Sequence, residues 1–301
     1  MRGKNIYNMT EGILLIDKPL DWTSQDVVNK IRRIFHTKKV GHTGTLDPLA
    51  TGVLVVLIGN SCKLCDYFQR GNKEYIATVT FGIKTPTLDL ESQIIEEENT
   101  EHLTEDILKD ACQKFIGEQY QIPPMTSAIK IDGKPLYSLA HQGIEFDLKP
   151  RKIIINNINI EKSSYEKGHF IAEIRINCSH GTYIRSLARD IGEACNTFAT
   201  LTGLVRVQNH IFNISDCISM EELKTATDPH QYLKGNKLLK NIFDYIDLND
   251  KDTKTLSYGQ YVPIKSEDKP LPYLAYHNDQ LIAICRIKDN YLKPKKVFIL
   301  P

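Results

Sequence analysis

A loop with three glycines in twelve residues, Gly41 to Gly52, is followed directly by an uninterrupted apolar run, Val53 to Ile58. Glycine allows turns and close backbone approach that a side chain would block, and the apolar run is typical of a buried strand. Pro48 biases the residue before it away from helix and toward an extended conformation. The sequence therefore predicts a loop that is held by a buried strand and that presents the carboxylate of Asp47.

The composition is typical of a globular protein that is large enough for two domains. The chain has 301 residues, of which 41% are hydrophobic and 25% are charged, and these values exclude a disordered or fibrous chain. No apolar run approaches the roughly 20 residues of a membrane-spanning helix, and the N-terminus lacks the apolar core of a signal peptide. We therefore expect a cytoplasmic protein without a membrane segment.

The composition changes near residue 245 and predicts a domain boundary there. Asp247 to Asp252 is polar and acidic, as in a linker, and Leu256 to Leu300 consists of short strand-like runs separated by turns. We expect one domain over residues 1–245 and a small all-β domain over residues 250–301.

The formal net charge of +1 conceals an uneven distribution of charge. Acidic residues gather between positions 87 and 110, where Asp89 is one of them, and basic residues gather at Lys30 to Arg33, Lys149 to Lys152 and Lys293 to Lys296. This separation allows a basic face that binds a polyanion. Solvated charge on each element is the alternative interpretation.

The seven cysteines are odd in number and scattered, which indicates reduced thiols rather than a disulfide framework. Cys62 and Cys65 form a CxxC pair, but no second CxxC or HxxxH supplies the other two ligands of a structural zinc. We predict no metal site.

Several local patterns predict secondary structure. Thr23 to Asp26 resembles a capping box that opens a helix, Tyr75 to Phe81 alternates as a half-buried strand does, and Thr104 caps a helix that we expect Gly117 to end. A later helix carries Arg185 in its first turn, where the helix dipole disfavours a cation. Arg185 is therefore expected to have a carboxylate partner or an anionic ligand.

Six segments in this order resemble the tRNA pseudouridine synthase B (TruB) family. They read GILLIDKPLDWTS, KKVGHTGTLDPLATGVLVVLIG, KEYIATVTFG, QIPPMTSAIKIDGKPLYSLAHQG, CSHGTYIRSLARDIGE and GLVRVQNHIF. A single glycine-rich loop is a weak signal, but six family-like segments in the family's order are a specific one.

The resemblance implies a mixed α/β (α+β) catalytic core with a long, mostly antiparallel sheet and a C-terminal PUA-like RNA-binding domain. It implies that Asp47 is the catalytic carboxylate, that Tyr75 packs against the target uracil and that Arg185 pairs with Asp47. It also implies substrate-binding roles for further residues, namely His42, Lys18, Arg206, Lys130 and Tyr183.

The implied activity is the isomerisation of the T-loop uridine, position 55 of tRNA, to pseudouridine. The implied partner is the T-arm of tRNA, and a monomer that needs no metal, organic cofactor, guide RNA or membrane is expected. Breaking the bond between ribose and uracil develops positive charge on the sugar, which a carboxylate can stabilise or attack. A neighbouring arginine is expected to lower the pKa of that carboxylate, and an aromatic ring can replace the lost stacking of an extruded base.

The chain departs from the family pattern at two places. Thr126 stands where the family usually has an aromatic residue, and Val205, Val207 and His210 depart from the pattern LRRTxxGxF. Three alternative functions are weighed: a tRNA-folding chaperone, a guide-RNA-dependent relative of the dyskerin type, and a nucleotidase with a phosphate-binding loop. The Asp47, Tyr75 and Arg185 set argues against the first, Thr43 in place of serine argues against the second, and the lack of GKS or GxGxxG argues against the third.

Overall fold

The computed structural model describes residues 10–127, 130–131, 134–135 and 148–298. The strands are β1 (Gly12–Lys18), β2 (Val40–His42), β3 (Ala50–Ile58), β4 (Lys73–Phe81), β5 (Ile83–Lys84), β6 (Glu96–Glu97), β7 (Gly117–Gln121), β8 (Lys130–Ile131), β9 (Lys134–Pro135), β10 (Arg151–Glu166), β11 (His169–Cys178), β12 (Ala199–Asn209), β13 (Phe212–Asn213), β14 (Ile218–Ser219), β15 (Tyr245–Asp247), β16 (Val262–Pro263), β17 (Lys269–His277), β18 (Gln280–Lys288) and β19 (Tyr291–Val297).

The helices lie between these strands and are mostly short. They are α1 (Ser24–Ile34), α2 (Cys65–Phe68), α3 (Glu105–Gln113), α4 (Ile184–Ala194), α5 (Met220–Thr225) and α6 (Asp250–Ser257). Among the described residues, no helix is long and apolar enough to cross a bilayer.

In the described part of the chain, ten strands form one long sheet in the order β14-β1-β3-β12-β4-β11-β10-β7, with β2 paired to β3 and β13 paired to β12. Within this sheet, among the described residues, only β1 with β14 and β3 with β12 run parallel. The expected mixed α/β fold with a long, mostly antiparallel sheet is confirmed.

The patterns that predict α1 and β4 are both confirmed. Thr23 accepts the backbone N–H of Asp26, and the Asp26 side chain accepts the backbone N–H of Thr23, so the capping box is complete. In β4, alternate residues from Lys73 to Phe81 are buried and the others are partly exposed. One face of this strand therefore packs into the core below α3 and α4.

The predicted end of the helix that Thr104 caps is wrong. Thr104 does cap α3, but the helix ends at Gln113, after which the backbone N–H groups of Lys114, Phe115 and Ile116 bond three residues back. These tighter bonds end the helix early. Gly117, with a φ of 101°, instead turns the chain into β7.

The C-terminal strands form a second, five-stranded sheet among the described residues, in the order β15-β17-β18-β19-β16, and α6 packs on it through Leu256. The stretch that we predict as a linker, Asp247 to Asp252, contains the end of β15 and the first turn of α6. Tyr276 and Phe298 join a hydrophobic cluster with β1 and β3, and Lys63 Nζ donates to the Val297 carbonyl at 2.6 Å. The small sheet is thus packed directly against the large one.

Candidate active site

The loop that carries Asp47 connects β2 to β3 and is held from several sides. Ser24 Oγ accepts the Leu46 N–H at 2.9 Å and donates to the Leu46 carbonyl. Gly52, with a φ of 94°, lies so close to β12 that an added Cβ would be 2.3 Å from the Arg206 carbonyl oxygen. This contact requires glycine and places the loop over the centre of the sheet.

Two buried cations also support the loop. The Arg206 side chain is 1% exposed, and its guanidinium donates to the carbonyls of Val53 at 2.8 Å and Gly44 at 3.1 Å. Lys18 is fully buried, and Nζ donates to three carbonyls, those of Pro19, Trp22 and Pro48. Because Lys18 and Arg206 bind backbone on either side of Asp47, they restrain the position of its carboxylate.

Asp47 and Arg185 form an ion pair in the lining of a cleft of about 350 Å³. Arg185 Nε lies 3.0 Å from Asp47 Oδ2, and Nη1 lies 3.2 Å from Asp89 Oδ2. The side chain of Asp47 is 32% exposed, whereas those of Arg185 and Asp89 are 5% and 0% exposed. One buried guanidinium therefore bridges a buried carboxylate and a carboxylate that faces the cleft.

Arg185 has the expected carboxylate partner, Asp47. The pKa of Asp47, however, is raised and not lowered as expected. Desolvation in the cleft raises the pKa of Asp47, and the charge of Arg185 only opposes this shift. Asp89 and Lys18 add smaller contributions of opposite sign. Desolvation prevails because the carboxylate lies between the loop and α4, where water solvates it poorly.

Thr126, one of the departures from the family pattern, contacts Arg185 twice. Arg185 Nη1 donates to Thr126 Oγ1 at 2.7 Å, and Nη2 donates to the Thr126 carbonyl at 3.1 Å. Nη1 also donates to the Thr87 carbonyl at 3.2 Å. The hydroxyl thus helps to orient the guanidinium toward Asp47.

Substitution Thr126→Val should lower kcat/KM about tenfold, since a hydrogen bond to a charged group contributes roughly 1.5–3 kcal/mol and the carbonyl bond remains. Thr126→Ser keeps the hydroxyl and should stay close to the parent protein. Single-turnover kinetics of both variants, with thermal unfolding as a control for stability, measure the effect. Equal rates for the valine and serine variants would show that the hydroxyl does not orient Arg185.

Tyr75 lies on β4 and lines the same cleft as Asp47. Its side chain is buried, and it is paired in the sheet with Ile176 of β11 and Arg206 of β12. Burial raises the pKa of the Tyr75 phenol, although the charge of Arg206 opposes the shift. With a raised pKa the phenol stays protonated near neutral pH, so little phenolate is present to accept a proton, and this favours a role for Tyr75 as a contact surface.

Of the other predicted substrate-binding residues, some line the cleft and some do not. Tyr183 and Arg206 line the cleft, whereas His42 and Lys18 are not part of its lining. His42 lies on β2, its Nδ1 is buried without a hydrogen-bond partner among the described residues, and desolvation lowers its pKa. The side chain of Lys130 lies outside the described residues.

Two residues of the cleft region, Asp89 and Lys73, are not predicted from the sequence. Asp89 belongs to an acidic segment of the sequence that can be read as solvated surface, but it is fully buried against Arg185. Lys73 is 7% exposed and lines the cleft two residues before Tyr75 on the same face of β4. In the alternating pattern of β4 a lysine at an inward-facing position is itself anomalous, and this signal could have identified it.

The CxxC pair is separate from this cleft. Cys62 Sγ donates to the Leu57 carbonyl at 3.2 Å, and Cys65 Sγ donates to the His42 carbonyl at 3.3 Å. Burial raises the pKa of both thiols. Within the described ranges, no three His, Cys, Asp or Glu side chains are placed to hold a metal ion.

Comparison with known proteins decides the family. The pattern for the N-terminal domain of the TruB family pseudouridylate synthases matches residues 32–184. The tRNA pseudouridine synthase B of Oenococcus oeni is 36% identical over 299 residues, which cover 97% of this chain and 99% of that protein. This chain belongs to the TruB family.

Other relatives agree with this assignment. The tRNA pseudouridine synthase B of Phocaeicola vulgatus is 46% identical over 231 residues, which cover 74% of this chain and 97% of that protein. The relative is therefore matched over almost its full length, whereas about a quarter of this TruB-family chain has no counterpart in the match. A solved H/ACA RNP bound to a substrate RNA containing 2'-deoxyuridine has the same fold, with a TM-score of 0.71, 20% identity, and coverage of 96% of this chain and 85% of the other.

In this TruB-family chain, His210 stands where the family pattern has glycine, and its backbone conformation is one that favours glycine. Its φ is 60°, a backbone conformation that glycine adopts more readily. The imidazole lies against Phe68 and Phe243, and a Cβ added to Gly71 would be 2.2 Å from it. Packing of the ring offsets the unfavourable backbone conformation at this position.

Proposed function

We propose that this chain is a tRNA pseudouridine synthase that isomerises the T-loop uridine, position 55 of tRNA, without a guide RNA. The observation that carries the proposal is the arrangement of Asp47, partly exposed in a cleft, against an Arg185 that is buried between two carboxylates. The names of the relatives, tRNA pseudouridine synthase B, support the choice of tRNA as the substrate.

The proposed reaction breaks the bond between ribose C1′ and uracil N1 and forms a bond between C1′ and C5. The C5 proton is released and N1 acquires one, so the base is isomerised without net addition. Positive charge develops at C1′ when the first bond breaks, and the Asp47 carboxylate stabilises this charge or attacks the carbon. Arg185 maintains the ionised carboxylate against the desolvation that raises its pKa.

The target base must leave the stacked T-loop before it can reach Asp47. The volume of the cleft, about 350 Å³, and the burial of Arg185 in its wall support entry of a single extruded nucleotide. Tyr75 then packs against the uracil, which replaces part of the lost stacking at roughly 1–3 kcal/mol. His42, Lys18, Arg206, Tyr183 and Lys130 complete the proposed set of substrate-binding residues, with Lys18 and Arg206 acting through the loop backbone that they hold.

We assign the catalytic role to residues 1–245 and an RNA-binding role to the PUA-like residues 250–301. The protein acts as a monomer in the cytoplasm, with neither metal nor organic cofactor. The Phocaeicola vulgatus relative, which is matched over nearly its full length by three quarters of this chain, supports a catalytic unit that does not need every residue of the chain.

The experiment that tests this function is tritium release from tRNA labelled at uracil C5, because the isomerisation leaves the mass unchanged. An unmodified transcript should release one equivalent, and the same transcript with cytidine at position 55 should release none. An isolated T-arm hairpin should also react. Release from the cytidine transcript would overturn the assignment of the site, and no release from either uridine-containing RNA would overturn the function.

A further inference from the structure

Lys73, a buried cation in the lining of the cleft, does not use all of its donors on the described part of the protein. Its Nζ donates to the carbonyls of Gln69 at 2.5 Å and Gly71 at 2.6 Å. An ammonium has three donors, so one N–H of Lys73 has no protein partner among the described residues. Lys18, by contrast, uses its Nζ for three carbonyls.

No carboxylate compensates the charge of Lys73 in the described part of the chain. Its pKa is lowered to about 8 by desolvation and by the charge of Arg206, and the Cys178 thiol, rather than a carboxylate, is the group that opposes this shift. Arg185, another buried cation at the cleft wall, has two carboxylate partners, and Arg206 donates to three carbonyls of the Asp47 loop and β3. A buried charge without a counter-ion is costly, so the environment of Lys73 is suited to an anion that comes from outside the protein.

Two further basic residues lie near Lys73 at this end of the cleft. His180 lines the cleft on the turn before α4, and partial desolvation, with smaller contributions from the charges of Lys73 and Arg70, lowers its pKa. Arg70 is exposed, and no described carboxylate pairs with it. Lys73, His180 and Arg70 therefore form a basic group, and an RNA phosphate supplies the oxygens that such a group binds.

We propose that Lys73, together with His180 and Arg70, binds a phosphodiester that flanks the target uridine in the substrate RNA. Lys73 supplies its remaining N–H within the cleft, and Arg70 contributes charge at the rim. This phosphate contact anchors the backbone on one side of the extruded nucleotide while Asp47 faces the sugar. The assignment rests on the proposed function, because it takes the RNA of that reaction as the ligand.

The test measures binding of a T-arm hairpin to the Asp47→Asn protein. This substitution removes the reacting carboxylate, so binding is measured without reaction. Lys73→Gln, added to this background, removes the charge but keeps amide donors for the Gln69 and Gly71 carbonyls. We expect Kd at low salt to rise roughly tenfold and the slope of log K against log salt to fall by about 0.7 for a single-stranded contact. Lys162→Gln is the matched control, because it makes the same replacement at an exposed lysine of β10 that is paired with Glu173.

Hairpins with one neutral methylphosphonate at each position around the target uridine locate the contact. At one of these positions, the methylphosphonate should weaken binding of the hairpin to the Asp47→Asn protein roughly tenfold. The same methylphosphonate should cause no further loss of binding when Lys73→Gln is also present. With Arg70→Gln, the loss of binding caused by this methylphosphonate should be smaller. Because the Arg70 side chain is exposed, it can be replaced without loss of packing, so this variant tests the proposal even if Lys73→Gln is unstable.

An unchanged salt slope for Lys73→Gln, or a methylphosphonate effect that neither variant reduces, would overturn the phosphate site. Tritium release by the unaltered protein tests the proposed function separately. Release with no phosphate contact at Lys73 would reject only this inference, whereas RNA binding without release would reject the proposed function.

Discussion

Substitution Asp47→Asn should abolish tritium release, with a fall in the single-turnover rate on the order of 10⁴-fold or more. Asparagine has nearly the same shape, so the loop held by Ser24, Lys18 and Arg206 should remain in place. The amide cannot supply the negative charge that stabilises or attacks ribose C1′. Binding of tRNA should stay close to that of the parent protein, because the phosphate contacts are unchanged.

The pH dependence of the parent protein gives a second measurement of the same group. Desolvation raises the pKa of Asp47, and only the ionised form is active in the proposed reaction. As the pH falls through this raised pKa, kcat/KM should fall with unit slope, and the loss should begin above the range of an ordinary aspartate. Normal turnover by Asp47→Asn, or an acid limb at the pKa of an unperturbed carboxylate, would contradict the assignment.

The sequence allows good prediction of those parts of the molecule that depend on local pattern. The two-residue alternation of β4 and the capping box at Thr23 both follow from neighbours in the chain. The Asp47 loop is recognisable for the same reason, since its glycines and Pro48 are adjacent. The predicted end of α3 is wrong because Gly117 does not cap the helix: short-range bonds of the Lys114 to Ile116 backbone end it first.

The features that the sequence does not reveal depend on contacts between distant segments. Asp89 looks like one acidic residue among many, and only the approach of Arg185 from α4 gives it a buried partner. Thr126 could be recognised as a departure from the family pattern, but its hydrogen bonds to Arg185 could not. The net direction of the Asp47 pKa likewise depends on desolvation in the folded cleft, which prevails over the charge of its neighbour.

Substitution Arg185→Met should have the second large effect, on both activity and stability. Its side chain is 5% exposed, and removing it leaves Asp89, which is fully buried, without its cation. Removal of one partner of a buried ion pair costs about 3–5 kcal/mol. Activity should fall on the order of 10³-fold, because Asp47 loses the donor that orients it and opposes its protonation.

The double variant Arg185→Met with Asp89→Asn separates these two effects. Removing the unpaired buried charge of Asp89 should recover most of the lost stability, measured by urea unfolding, but none of the lost tritium release. Arg185→Lys should fold yet remain weakly active, since an ammonium cannot reproduce the planar fork that contacts Asp47, Asp89 and Thr126 together. If Arg185→Met stayed within about twofold of the parent in rate, the ion pair with Asp47 would have no catalytic role. If the double variant were no more stable than Arg185→Met alone, the buried charge of Asp89 would not explain the loss of stability.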